Sequence, residues 1–228
     1  SLFELGRLEG VSRPALATIV ASRKQPTVLV DVGANVDCKP QWLAQFAIMA
    51  RAYVQSVFQI ENPTVGLLSI GEEAEKGNEQ TLATYKILQD ADISFIGNVE
   101  GHDITLGKAN VIVADGFVGN VILKLAEGLS EMILHTLKSE LAELRQRVEF
   151  SPDDTLAHFL KQLDYAEYGA ALLLGVNGNS LIGHGKSSPK AVANALRQAY
   201  RSVHYDMNDQ IVAEIKRCNA RMPVAGQA

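Results

Sequence analysis

The chain has 228 residues, 47% of them hydrophobic and 21% charged, enough apolar material to bury the core of one large domain or two small ones. Its 21 Lys+Arg against 26 Asp+Glu give a formal net charge of −5, which argues against broad nucleic-acid binding, since that needs a basic face. The cysteines, Cys38 and Cys218, are too far apart in sequence for a CxxC site or a disulfide framework, and neither a membrane-span-length apolar run nor a basic n-region with an h-region is present, so the expectation is a soluble, cytoplasmic protein.

Leu2, Phe3, Leu5 and Leu8 predict the tail of a helix that stops near Gly10. Residues 14–20 read as a strand, 22–26 as a turn, and Thr27 to Val30 as a second strand, buried on both faces. That strand runs into a polar corner, Asp31 to Asp37. Pro40 suits the first turn of a helix reaching about Ile60, with Trp42, Leu43, Phe46, Ile48, Met49, Tyr53, Val54 and Val57 on a broad apolar face. Residues 64–70 predict a third buried strand, followed by a charged loop, Gly71 to Glu79, and a helix marked by Leu82, Tyr85, Ile87 and Leu88. Residues 93–97 give a fourth strand, leading to Asn98, Val99, Glu100 and Gly101. Val111, Ile112 and Val113 give a fifth, and the polar turn 114–120 leads to a helix predicted to start at about Gly119 or Asn120.

Beyond Glu127 the pattern changes. Met132 or Ile133, Leu137, Leu141, Leu144 and Val148 keep a heptad-like spacing, broken at Ser151 and Pro152. Leu156, Phe159, Leu160 and Leu163 then mark a second amphipathic segment, so residues 131–163 are predicted to project as a helical hairpin. Residues 180–185 read as a strand and turn, and residues 189–218 as one long final helix. Strand, corner and helix alternate as in an α/β protein with a largely parallel sheet, predicting a single domain over 1–228 with the 131–163 hairpin as an arm within it.

The chemistry is expected at the corners, because ligands of α/β sheets bind at the carboxyl ends of strands. A helix N-terminus there also offers free N–H groups and partial positive charge to an anion. Glycines in these corners allow close backbone approach to a ligand. Lys76 is the cation placed between such glycines, and Lys124 lies one turn into the helix after Asn120, so those two share a face. Together these residues can cradle a phosphate. The competing reading is an ordinary set of turns, with Asp115 and Asn120 as caps and the lysines in solvent. No GxGxxG, GxxxxGK[ST] or GxSxG pattern occurs, the five histidines have no metal-ligand spacing, and no spacing rule singles out the acidic residues for Mg²⁺. His184, between Gly183 and Gly185, is the histidine in a site-like setting, and nothing marks Cys38 as an activated thiol.

Taken together, VDVGANVDCKP at 30–40, QFAIMA at 45–50, VGLLSIGEEAEKGNE at 65–79, FIGNVEG at 95–101, ADGFVGNVILK at 114–124 and YGAALLLGVNG at 168–178 resemble one family. It is the phosphate acyltransferase (PlsX type) of bacterial phospholipid synthesis, and the motifs match in order and spacing over almost the whole chain. The resemblance implies attack of inorganic phosphate on the thioester of a long-chain acyl carrier protein, giving acyl phosphate. It implies a homodimer with a fold like that of isopropylmalate dehydrogenases and phosphotransacetylases, and it implies no metal and no organic cofactor. By resemblance Lys76 and Asn120 are the catalytic pair, and Asp31, Gly33, Asn35, Asn98, Asp115, Gly116, Gly119, Lys124 and His184 line the phosphate and substrate site.

In the family the hairpin contributes to dimer contacts and to peripheral contact with the inner face of the membrane. Here residues 131–163 are acidic in balance, so any membrane affinity is expected from apolar insertion by residues such as Leu156, Phe159 and Leu160. The family's DAMGGD-like and SAGNTGA-like glycine-rich loops, which would precede Ser1, are absent, and the chain is therefore expected to lack the family's beginning. Two competing readings are a non-catalytic relative that docks carrier protein or membrane, and another transferase or dehydrogenase of the same fold.

Overall fold

The structure, a computed structural model, describes residues 2–24, 27–147, 170–183, 185 and 187–219. Their elements are α1 (Leu2–Leu5), β1 (Ala15–Val20), β2 (Thr27–Val30), α2 (Pro40–Phe58), β3 (Thr64–Leu68), α3 (Glu79–Asp90), β4 (Ser94–Val99), α4 (Gly101–Leu106), β5 (Val111–Val113), α5 (Gly116–Arg147), β6 (Ala171–Leu174), β7 (Ser180–Ile182), α6 (Pro189–His204) and α7 (Met207–Asn219). The described strands form one sheet in the order β4-β3-β5-β2-β1-β6-β7. From β4 to β2 the neighbours are parallel, with Val30 opposite Val113 and Leu67 opposite Val113 from the other side. β1, β6 and β7 extend that sheet by antiparallel pairing. The expected parallel set is therefore one half of a mixed sheet.

Both faces of the parallel strands are covered, which is why β2 and β5 read as unbroken apolar runs. Val28, Val30, Val111 and Val113 face a core built on α2, α3 and α7. Leu29 and Ile112, one residue out of phase, face a second cluster with Ile104 of α4 and Ile122 and Leu123 of α5. α2 is buried along almost its whole length, so its polar residues need internal partners. Gln45 accepts from the Ser12 N–H at 2.8 Å, and Arg51 donates to Glu214 of α7 at 2.7 Å.

The sequence reading and the structure differ at several boundaries. α1 ends at Leu5, before the Gly6 and Gly10 turns. α4 has no counterpart in that reading; it is short, and the Glu100 N–H is held by the Asp103 carboxylate at 2.9 Å, half of a capping box. The long final helix is two helices. Asp206 takes a positive φ of 48°, and the chain turns so that Met207, Ile211, Ile215 and Cys218 of α7 enter the core. No glycine or proline marks that break, which is why periodicity alone joins the two.

α5 starts at Gly116, three or four residues earlier than the predicted start at Gly119 or Asn120, and continues without interruption to Arg147. Of the hairpin expected over 131–163, residues 131–147 continue α5 and the rest lie outside the described residues. No helix among the described residues is long and apolar enough to cross a membrane.

Candidate active site

The ends of β2, β3, β4 and β5 bring the four polar corners to one edge of the sheet, as parallel strands with this pairing must. What each corner presents there depends on where its polar atoms go.

Asp31, at the end of β2, is fully buried. One carboxylate oxygen accepts the N–H groups of Leu16, Gly33 and Ala34 at 2.9, 3.2 and 3.0 Å. The other accepts the Asn35 N–H at 2.7 Å and the Asn35 Nδ2 at 2.8 Å. The amide of Asn35 also donates to the Pro14 carbonyl at 2.8 Å, and its own carbonyl accepts the Gly116 N–H at 2.7 Å. Asp31 and Asn35, expected to line the site, thus hold the corner together and dock the first turn of α5 on it. Cys38 donates to the Asn35 carbonyl, and burial, aided by the nearby carboxylates of Asp31, Asp115 and Asp37, pushes its thiol up to about 11 despite the Gly116 N–H. Cys38 is therefore a quiet thiol at neutral pH.

Two glycines are required by that docking. A Cβ on Gly116 would lie 2.4 Å from the Asn35 carbonyl oxygen, and one on Gly119 would lie 1.8 Å from that of Asp31. Gly33, at φ 131°, faces the side chain of Asn120. Asp115 caps α5 by accepting the Val118 N–H at 2.9 Å, and its carbonyl takes the Gly119 N–H at 2.9 Å. With the Gly116 N–H on Asn35, three of the first four N–H groups of α5 are already engaged, so the N-terminus of α5 has little left to offer an anion.

The Lys76 corner follows β3. The Lys76 carbonyl accepts the Ser69 hydroxyl at 2.9 Å, the Lys76 N–H donates to the Glu73 carbonyl at 3.0 Å, and Gly77 takes φ 127° to lead into the Asn78 cap of α3. Asn98 of β4, 3% exposed, lies under this loop and donates to the Glu73 and Lys76 carbonyls at 2.7 and 3.3 Å. Glu72 is tied from outside by Lys108, which also donates to the buried Asp103 at 3.0 Å. Burial works against ionisation of Asp103, but the Glu100 N–H and Lys108 outweigh it and hold its carboxyl below the usual range. No local pattern marks the pairing of Lys108 with Glu72, which are 36 positions apart; the three-residue spacing of Glu100 and Asp103 marks only the capping box. The Lys76 side chain itself is exposed and has no ion pair among the described residues.

Two clefts flank the start of α5. One, of about 210 Å³, is lined by Leu16, Val32, Asn120, Lys124 and Gly183 among others. The other, of about 470 Å³, is lined by Leu68, Ile70, Gly77, Asn78, Asp115 and Val118 among others. Asn120 and Lys124 thus share the first, with Lys124 paired to Glu127 at 2.8 Å, while Asp115 meets the Lys76 corner through Gly77 in the second. Neither cleft holds both Lys76 and Asn120. His184 lies outside the described residues, although Gly183 and Ser187 line the first cleft. Among the described residues no group of three or more His, Cys, Asp or Glu side chains is arranged to hold a metal ion.

A family described as fatty acid synthesis protein matches residues 1–210. A protein of Pelotomaculum thermopropionicum named phosphate acyltransferase is 49% identical over 218 residues, covering 95% of this chain and 64% of that protein. A protein of the same name from Desulforamulus reducens is 51% identical over 207 residues, covering 89% of this chain and 61% of its own length. The chain therefore spans a little under two thirds of these relatives. Among solved structures, a phosphotransacetylase from Staphylococcus aureus superposes with a TM-score of 0.54 at 15% identity, over 94% of this chain and 57% of that one. A branched-chain phosphotransacylase from Enterococcus faecalis gives 0.53 at 15% identity, over 84% of this chain and 65% of that one. At such identity these two likenesses establish the α/β fold.

Proposed function

Because the chain belongs to the fatty acid synthesis protein family, we propose that it transfers a long-chain acyl group from acyl carrier protein to inorganic phosphate, giving acyl phosphate for phospholipid synthesis. The observation that carries this reading is the 49% identity over 218 residues, 95% of this chain and 64% of the relative, to a protein named phosphate acyltransferase. The geometry supports it, because the corners present exposed cationic and amide donors on a frame in which the Asp31 carboxylate and the Asn98 amide nitrogen are already engaged.

In the proposed reaction a phosphate oxygen attacks the thioester carbonyl carbon and a tetrahedral oxyanion forms. The C–S bond then breaks, and the carrier-protein thiolate leaves and is protonated. Phosphate is the nucleophile, so no covalent enzyme intermediate is required. The protein must hold phosphate against the carbonyl and stabilise the developing charge. Lys76 supplies an exposed ammonium with no ion pair among the described residues, Asn120 an exposed amide beside Gly33, and Lys124 a second cation on the helix face of Asn120. We assign catalysis to Lys76 and Asn120 and substrate contact to Gly33, Asp115, Lys124 and His184. Asp31, Asn35, Gly116 and Gly119 frame the site. The reading includes a homodimer and peripheral contact with the membrane's inner face, supported by the exposed Phe117, Val121, Leu125 and Leu129 along α5.

The test is phosphate-dependent release of carrier-protein thiol from palmitoyl carrier protein by the protein expressed from its whole reading frame. Lys76→Ala and Asn120→Ala should each lower turnover by about two orders of magnitude or more, the range for losing one oxyanion donor. Near-normal turnover in both variants would sink the site assignment, and absence of phosphate-dependent release from the unsubstituted protein would sink the function.

A further inference from the structure

We infer that Asn98 is a positioning residue for Lys76, an inference that rests on the catalytic role proposed for that lysine. The family resemblance counts Asn98 among the residues lining the substrate site, but the structure gives its amide another task. Asn98 is 3% exposed, and both hydrogens of its Nδ2 are used, one on the Glu73 carbonyl at 2.7 Å and one on the Lys76 carbonyl at 3.3 Å. Nothing remains on that nitrogen to offer a substrate. Its Oδ1 is buried and has no hydrogen-bond partner among the described residues. Leaving such an acceptor unpaired inside the protein is destabilising. A purely structural position would favour an apolar residue, which avoids that cost. The asparagine is explained by what its nitrogen does: it joins the two carbonyls that bracket the Lys76 turn.

The loop has three fastenings of unequal strength. The Ser69 hydroxyl holds the Lys76 carbonyl at 2.9 Å in an exposed setting, and Lys108 holds the exposed Glu72 side chain. Exposed contacts of this kind fix little, because water competes for both partners. Asn98 is the fastening shielded from water, and it reaches the lysine's own peptide. The turn it stabilises also contains Gly71, where a Cβ would meet the Glu73 carboxylate at 2.9 Å, and Gly77 at φ 127°. A loop of this composition holds one shape only while its carbonyls are engaged.

The experiment is a double-mutant cycle in the thiol-release assay, with hydrogen exchange as the second readout. Asn98→Ala removes both donors. Asn98→Asp keeps the volume but turns oxygen lone pairs toward both carbonyls. Each should lower kcat/KM for phosphate by about tenfold or more when Lys76 is present, as displacement of a catalytic group by a fraction of an ångström does. In a Lys76→Ala background the same changes should act less than about twofold, since neighbouring effects that share one path do not add. Amide exchange over residues 73–77 should accelerate in both variants while β3 and β5 stay protected. Glu72→Gln, which removes only an exposed contact, should leave kcat/KM within about twofold. Equal losses with and without Lys76, or unchanged exchange over 73–77, would overturn the inference while leaving the proposed reaction intact. No phosphate-dependent release by the unsubstituted protein would overturn both.

Discussion

Gly119→Ala and Gly128→Ala make the same chemical change in the same helix, and they should move stability in opposite directions. Within a helix, glycine is less favourable than alanine by about 0.5–1 kcal/mol, because it gives up more backbone freedom on folding. At Gly128 a Cβ meets nothing within 4 Å, so Gly128→Ala should collect that gain in full. At Gly119 the new Cβ would stand 1.8 Å from the Asp31 carbonyl oxygen and 2.9 Å from its carbon, where real Cβ contacts essentially never fall below 3.0 Å. Helix and corner must therefore separate by more than an ångström. The corner cannot yield cheaply, because the Asp31 side chain is fixed by the N–H groups of Leu16, Gly33, Ala34 and Asn35. Overpacking of this kind costs about 1–3 kcal/mol, so after the propensity gain Gly119→Ala should lose about 1–2 kcal/mol. Urea denaturation at constant slope gives both differences directly. Turnover should also fall for Gly119→Ala and not for Gly128→Ala, since the separation moves Asn120 away from Gly33. A Gly119→Ala protein as stable as its parent would refute the close approach of α5 to the Asp31 corner, and with it the account of how Asn120 is placed.

The Arg51–Glu214 pair joins α2 to α7 with side chains 10% and 22% exposed. Glu214→Ala should cost about 3 kcal/mol by stranding Arg51, whereas Arg51→Met with Glu214→Leu should come within about 1 kcal/mol of the parent in denaturant titration; an equally unstable double variant would show that the pair itself is net stabilising. Burial raises the Cys38 thiol from 9.0 to about 11 and the Tyr53 hydroxyl from 10.0 to about 12, the latter against the opposing hydrogen bond from Gln198. Above pH 9 the unfolded chain sheds protons that the folded chain retains, so stability is full below pH 9 and should fall through pH 9–11 and 10–12 respectively. Cys38→Ala should flatten the lower part of that fall, and an unchanged slope would contradict the assignment. Residues 131–163 carry Lys138, Arg145, Arg147 and Lys161 against Glu131, Glu140, Glu143, Glu149, Asp153 and Asp154, so liposome binding should be weak and insensitive to salt. Strong binding to anionic vesicles that salt abolishes would contradict it.

The strands of the parallel half were legible because burial on both faces leaves β-branched runs such as Thr27 to Val30 and Val111 to Val113, which local pattern alone identifies. Their antiparallel extension was not, since β1 pairs with β6 across more than a hundred and fifty intervening positions and nothing local records that choice. The same limit divides the candidate site. Sequence marks every polar residue at a strand end alike, so Asp31, Asn35, Asn98, Lys76 and Asn120 all qualify as ligands. Packing separates them. Asp31 is fully buried with both oxygens engaged, and Asn98 spends its donors on the carbonyls of a neighbouring corner. Lys76 and Asn120 remain exposed beside these frames. A group that has already satisfied its hydrogen bonds inside the protein has little to offer a transition state, while one held in place by such a group loses little freedom when it binds. In the proposed site each exposed donor is paired with a buried support whose own donors or acceptors are spent on backbone: the Asn98 amide nitrogen beneath Lys76, and the Asp31 carboxylate beneath Asn120. Each support lies far along the chain from the donor it serves, which is why spacing rules find the donors and not the pairs.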